Sequence, residues 1–413
     1  MTIVDKPVAA QYEAWVYPNP VMDMAEAIAR QTYSDLSDPS RIRRKLWPKN
    51  VEPDELDMLI AGCGANQAAY LAMKNPSSRV VGIDLSAASL AHEQYLKEKH
   101  DIQNLELHQL SLEDASSLGQ SFDLIVSSGV LHHLPDPDAG LRALGEVLRP
   151  HGVIFVMLYG LYPRIGVHML QEAFRIMGLQ QDAAGVEMVK YALSHVVPQR
   201  HHINRYNDPD RGFDAGLVDT FLHAREKAYT VSDIYHMVAA SGLKLQGWGD
   251  NYDYSLARII PDTHDPVREA IAKLPLADQW RCVELIGQSF ARHFFLVCHP
   301  DRPDADYTLD FESEAWLDYV PIVRSDVKIL GERLARPGED AIVRSLTFSR
   351  VGHRVELEAF EGTLFRQIDG KRTINELLAN EQRAPAASRR RVEQARTFFQ
   401  QMADLDHVLF QIP

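Results

Sequence analysis

Between residues 57 and 160 the apolar positions follow two alternating patterns. Short unbroken runs, "DMLIA", "RVVGID", "FDLIVSS" and "VIFVMLYG", predict strands buried on both faces. Between them, "AAYLAMKNP", "AASLAHEQYLKEKH" and "DAGLRALGEVLRPHG" place apolar residues at helical spacing, and "LELHQLS" alternates like a half-buried strand. Strand and helix exchange repeatedly, which predicts an α/β fold with a doubly wound, mostly parallel sheet.

After Tyr159 the alternation stops. Residues 163–225 are mostly helical and polar, with "HHINRYNDPDRGFDAG" as a loop, and read as an insertion. Thr230 and Gly242 are positioned to cap the helix "TVSDIYHMVAASGL", which feeds the strand "KLQGWG"; "RHFFLVCHP" is a further apolar strand. "DRPDADY" reads as a linker. Residues 309–413 then predict a smaller α+β unit: a helix, a tight "DGK" turn, two more helices and the closing strand "HVLFQI", an order resembling a winged-helix module. The expected organisation is a polar lead-in over 1–50, broken at Pro18 and Pro20, a main domain over 51–300 and an accessory domain over 309–413.

Composition narrows the partners. The 413 residues are 46% hydrophobic and 24% charged, the balance of a globular protein, and 43 basic against 57 acidic residues give a net charge of −14. Such an acidic balance opposes binding to a phosphate backbone, so nucleic acid is not expected as a partner. Three separated cysteines, Cys63, Cys282 and Cys298, suggest neither a disulfide framework nor a zinc knuckle, and no signal peptide or membrane span is expected. The expected location is the cytoplasm.

Candidate chemistry begins at "LIAGCGANQ", residues 59–67, where a strand ends in Gly62 and Gly64. A dinucleotide fingerprint wants a small residue at the position of Gln67; the glycine motif of methyl-donor enzymes wants one at Asn66. Asp84, 20 residues beyond Gly64 at the end of the next apolar run, is placed to accept hydrogen bonds from both hydroxyls of a ribose. That spacing suits dinucleotides and methyl donors equally.

The block "FDLIVSSGVLHHLPDPDAGLRALGEVLRPHGVIFV" resembles the region around the fourth and fifth strands of class I S-adenosylmethionine-dependent methyltransferases, in particular bacterial members with a helical insertion and a C-terminal extra domain. The resemblance implies a Rossmann-like sheet closed by an antiparallel hairpin near 243–248 and 293–299, with S-adenosyl-L-methionine as cofactor. It places Gly62 and Gly64 against the donor's amino-acid portion, Asp84 on its ribose and Leu85 on its adenine. Ser111 and Leu112 stand at the adenine edge, Ser128 and Gly129 beside the methionyl part, and Tyr12 and Tyr17 in an N-terminal lid. Ala61, Asn66 and Ser111 depart from the family pattern, so Gln67 or Asp114 would help to hold the donor.

On the acceptor side, His132 and His133 read either as a general base or as residues that shape their loop by hydrogen bonds. Tyr159, Arg164 and His168 on one edge of the insertion, and Asp219, His223 and Tyr229 on the other, are candidates to face the acceptor. No metal site is expected, because the His pairs at 132 and 201 lack helical ligand spacing, and Arg389–Arg391 read as a solvated helix face. The acceptor is open between a protein or peptide and a small molecule. A binding protein that keeps the fold without catalysis is the remaining alternative, and a homodimer through the C-terminal unit is one role for that unit.

Overall fold

The structure, a computed structural model, describes residues 6–49, 55–205, 209–261, 264–288, 291–333, 345–350, 353–379 and 385–413; residues 206–208 of the expected insertion loop lie outside these. The chain divides into two compact units. The first is built on a seven-stranded sheet.

Its strands are β1 (Asp57–Ala61), β2 (Arg79–Asp84), β3 (Leu105–Gln109), β4 (Phe122–Ser128), β5 (Leu148–Tyr159), β6 (Lys244–Trp248) and β7 (Arg292–Cys298), in the order β3-β2-β1-β4-β5-β7-β6. β1 pairs in parallel with both β2 and β4, whereas β7 runs antiparallel to β5 and to β6. The unbroken apolar runs are explained by burial on both faces: Leu59, Ile60, Val81, Ile125 and Ile154 are wholly inaccessible to solvent. Strand order reverses between β1 and β4, so the loops leaving their carboxyl ends diverge and open a crevice there. At the opposite edge Arg149 pairs with both Asp57 and the fully buried Asp123, and Arg79 joins Asp57 at 2.8 Å. That charge network ties strand ends together away from the crevice.

Local signals act as expected in the flanking helices. Asp136 accepts from Ala139 N–H with Pro137 at the first helical position of Pro137–Glu146. Thr230 and Asp233 form a reciprocal capping box on Val231–Ala240, and Gly242 follows its end in the left-handed region. The insertion holds a small core of its own: Val167, Leu170 and Phe174 of one helix meet Val186 and Val189 of a second and Leu217, Val218 and Phe221 of a third.

The second unit gathers residues 39–51, 250–255 and 303–413, a wider set than the contiguous 309–413 expected. The helices Ala359–Gln367, Ile374–Ala379 and Pro385–Asp404 and the closing strand β12 (Val408–Gln411) occur where the pattern places them. The strands β8 (Val320–Val323), β9 (Lys328–Arg333), β10 (Ser345–Arg350) and β11 (His353–Leu357) were not legible: β8 is only four residues and contains Pro321, and the others mix charged and apolar residues. β8 pairs with β12, and β9, β10 and β11 form an antiparallel sheet. The difference has a physical basis: Ala395, Phe398, Phe399 and Met402 are fully buried at helical spacing on Pro385–Asp404, while strands of four to six residues carry little periodicity. Among the described residues no helix is long and apolar enough to cross a membrane.

Phe221 is 2% exposed at the centre of the insertion core. Phe221→Ala should destabilise that core by about 3–5 kcal/mol, read as faster amide exchange in the helices Ile165–Ile176 and Ala183–Tyr191 while exchange in β1 and β4 is unchanged.

Candidate functional site

At the carboxyl end of β1 the chain turns through Gly62 and Gly64, whose φ angles of 81° and 55° lie in the left-handed region. A Cβ on Gly62 would stand 2.3 Å from Val130 Cγ2, and one on Gly64 would stand 3.0 Å from Pro18 Cδ. Neither position has room for a side chain. Gly64 N–H donates to Asp84 Oδ2 and Ser86 N–H to Asp84 Oδ1, both at 2.8 Å, which fixes the carboxylate at the end of β2. Burial raises the pKa of Asp84, against the pull of those backbone donors.

These groups line a cavity of about 700 Å³, a size suited to a nucleoside-bearing ligand. Gly62, Gly64, Gln67, Asp84 and Leu85 form one wall, Ser111 and Leu112 another, and Ser128, Gly129 and Met157 the floor at β4 and β5. Tyr12, Tyr17 and the segment Thr32–Asp35 cover it, and His133, Tyr159, Asp210 and Arg292 stand at the far end. Thr32–Asp35, Asp210 and Arg292 carried no sequence signal, since each depends on a distant segment folding over the sheet edge.

Two expected site residues stand outside this lining. Asn66 is fully buried, and its side chain accepts from Val21 N–H at 2.8 Å and donates to Asn19 O at 3.1 Å. Gln67, beside it, donates to Asp35 Oδ2 at 2.6 Å. The two residues that replace the third glycine therefore clasp the N-terminal segment across the cavity. His132 is also fully buried, with its ring 4.5 Å from that of Tyr159 and neither nitrogen hydrogen-bonded. Burial holds its pKa well below the usual histidine value. It packs behind the cavity rather than facing it.

Glu93, which carries no motif signal, fills the helix start beside this loop. Glu93 accepts from the N–H groups of Ala68 and Ala69 at 2.9 Å each, at the start of the helix Gln67–Lys74. A helix N-terminus beside a glycine turn is where a dinucleotide's pyrophosphate would bind, and here the Glu93 carboxyl group already accepts the N–H groups of that terminus. Glu93 shares a buried stripe with Ser89 and Leu96 on the helix Ala87–Lys99, and an acid on an apolar stripe was the available signal. Ser111 caps the next turn by accepting from Glu113 N–H, at 3.4 Å.

The far end is a polar cluster assembled from four segments. His133 Nδ1 lies 2.8 Å from Arg225 O, which can only accept, so Nδ1 carries the proton and Nε2 the lone pair. Arg225 N–H donates to His223 Nδ1 at 3.0 Å, so the proton of a neutral His223 is on Nε2, directed at the Tyr12 oxygen 3.3 Å away. One backbone residue thus sets both tautomers. Tyr12 donates to Asp219 Oδ1 and Tyr17 to Asp210 Oδ2, both at 2.9 Å. Burial lowers the pKa of both histidines and, foremost, pushes that of Asp219 up to about 7. Tyr159 is capped by the Arg164 guanidinium, 3.7 Å from its ring centre, and Arg164 is paired with Glu226 at 2.9 Å in full burial.

His133, Asp219 and His223 bring ligand-type atoms within 4.8 Å of one another. The bond from Arg225 N–H leaves His223 without a free nitrogen lone pair toward the other two, which deprives a cation of its third ligand. His168, expected at this face, instead bonds Gln171 Oε1 at 3.0 Å, and the Tyr229 hydroxyl is buried with no partner among the described residues.

Residues 59–154 match a family model described as a methyltransferase domain. The chain is 28% identical over 261 residues to an uncharacterized protein of Synechococcus sp., covering 61% of this chain and 62% of that one. It is 37% identical over 123 residues to trans-aconitate 2-methyltransferase of Deinococcus radiodurans, covering 30% and 44%. The chain thus spans less than two thirds of the length of these relatives. Among solved structures, PKMT2 from Rickettsia typhi in complex with AdoHcy has a TM-score of 0.64 at 14% identity, over 92% of this chain and 77% of that one, a likeness of fold.

The buried Glu93 carboxyl, pushed up to about 8 mainly by burial, keeps in the folded state a proton that the unfolded chain releases above the ordinary glutamate value. Stability should therefore fall as pH rises from about 5 to about 8, and the fall should be smaller in Glu93→Gln, which keeps the contributions of Asp84 and Asp219, when the two are compared by urea unfolding.

Proposed function

We propose that this chain, whose residues 59–154 match a methyltransferase domain, transfers a methyl group from S-adenosyl-L-methionine to an amino nitrogen. The cavity is built to take the donor: Gly62 and Gly64 clear space at the end of β1, Asp84 faces it, and Leu85 and Leu112 supply apolar walls for a base. Asp84 would bond the ribose hydroxyls through the lone pairs left free by Gly64 and Ser86. When bound, the donor supplies a methyl group already activated by its sulfonium, so the protein's task is alignment, exclusion of water and acceptance of a proton. Tyr12, Tyr17 and the clasped N-terminal segment close the cavity over it.

The observation that carries the choice of acceptor is the hydrogen-bond polarity of the far end. Tyr12 and Tyr17 spend their protons on Asp219 and Asp210, and His133 spends its own on Arg225 O, so all three present lone pairs to the cavity. Three carboxylates line the cavity, Asp35, Asp84 and Asp210, against the one guanidinium of Arg292. Such a wall favours a group that brings N–H donors or positive charge and disfavours a carboxylate. The insertion and the N-terminal segment enclose the approach, which suits a slender amine, carried on a protein or peptide side chain or on a small molecule.

Calorimetry with S-adenosylmethionine and with its demethylated product tests the donor. Both should bind, and Asp84→Ala should weaken each by about 1.5–3 kcal/mol; absence of binding in the micromolar range would reject the reading. Sinefungin, which carries an amine in place of the methylsulfonium, tests the wall without an acceptor in hand. It should bind at least about tenfold more tightly than the demethylated product, and equal or weaker binding would overturn an amine acceptor. Labelled donor incubated with a lysate, then split by size, separates a protein acceptor from a small one.

A further inference from the structure

The sequence draws attention to the two histidines after β4 as the base, but the connected hydrogen bonds lead elsewhere. Tyr12 lines the cavity with its hydroxyl proton already directed at Asp219, and Asp219 itself is 2% exposed and does not line it. We propose that Asp219, acting through the Tyr12 hydroxyl, is the terminal proton acceptor of the transfer step. This rests on the methyl-transfer reading above.

As the acceptor nitrogen forms its bond to the methyl carbon, the electron pair of the broken carbon–sulfur bond stays on sulfur. The proton shed by the nitrogen passes to the Tyr12 oxygen while the Tyr12 proton moves to Asp219 Oδ1 along the 2.9 Å bond. The phenol is regenerated and the carboxylate becomes a neutral acid, which returns its proton to water between turnovers. Charge is conserved within the buried site: a sulfonium and a carboxylate at the start become a thioether and a carboxylic acid. Tyr12 itself does not ionise on this route, in keeping with a phenol whose pKa burial raises far above its usual value.

The surroundings of Asp219 support the role. It sits at the end of the helix Asp214–Phe221, facing Tyr12 from the N-terminal helix Lys6–Ala14, His133 from the loop after β4 and His223 beyond its own helix. Glu226 and Asp210 add negative charge and Arg164 positive charge around it. Burial is the largest influence, and it brings the carboxyl to about 7, where it can be found ionised before the step and protonated after it. His133 also turns a lone pair to the cavity, but its proton is held by Arg225 O and no onward acceptor follows it.

The coupling between cofactor charge and Asp219 is measurable without knowing the acceptor. At pH 7, titration calorimetry in buffers of different ionisation enthalpy should show S-adenosylmethionine releasing up to about half a proton on binding, as its sulfonium ionises the half-protonated carboxyl. The neutral demethylated product should release less. Asp219→Asn should abolish the difference between the two ligands, and Tyr12→Phe should diminish it, with each proton count taken per occupied site. Glu93 remains in both variants, so its own titration cancels. An equal proton count for the two ligands, or an unchanged difference in Asp219→Asn, would overturn the proposal. Failure of either ligand to bind wild type would reject the donor reading instead. Loss of product affinity in both variants, with the proton difference retained in proportion to occupancy, would assign the pair a structural role only.

Discussion

The site depends on one hydrogen bond, from Gly64 N–H to Asp84 Oδ2. It joins the loop after β1 to the end of β2 and so fixes the geometry of the crevice that strand order opens between β1 and β4. Only a backbone free to turn left-handed can present that N–H, and only a carboxylate held near the sheet edge can receive it. The N-terminal segment then crosses directly over Gly64, so closeness of packing and position of the carboxylate are set together.

Around this bond the protein manages buried acidic groups. Glu93 and Asp219 lie out of reach of bulk water, Asp84 lines the cavity, and each is held by a different kind of donor: two amides of a helix start, a phenol, and two loop amides. Burial raises the pKa of all three. The consequences differ with the donor. Glu93 closes a helix terminus that could otherwise attract phosphate, Asp84 keeps lone pairs on the cavity side, and Asp219 meets the cavity only through the Tyr12 hydroxyl.

The departures from the family glycine pattern also acquire a physical meaning. Asn66 and Gln67 do not weaken a cradle by crowding it; the Asn66 amide binds residues 19 and 21 behind the cavity, and the Gln67 amide binds Asp35 along its wall. A glycine at 66 would leave those backbone groups to water. The same turn that shapes the cavity therefore anchors the segment that covers it, through two adjacent side chains.

By itself the sequence determined the sheet, its parallel core, the glycine turn, Asp84 and the helix caps, because these follow from patterns within a few dozen residues: apolar runs, helical spacing, capping residues and turn glycines. It also brought out Tyr12, Tyr159, Asp219 and His223 as candidates without joining them. Tertiary structure alone decided that Tyr12 meets Asp219 across 207 positions, that Arg225 sets the tautomers of two histidines, that Asn66 and His132 lie behind the cavity, and that Glu93 fills a helix start. The reason is the range of the interaction. A buried polar group must find a partner wherever the folded chain supplies one, and the identity of that partner leaves no periodic trace along the sequence.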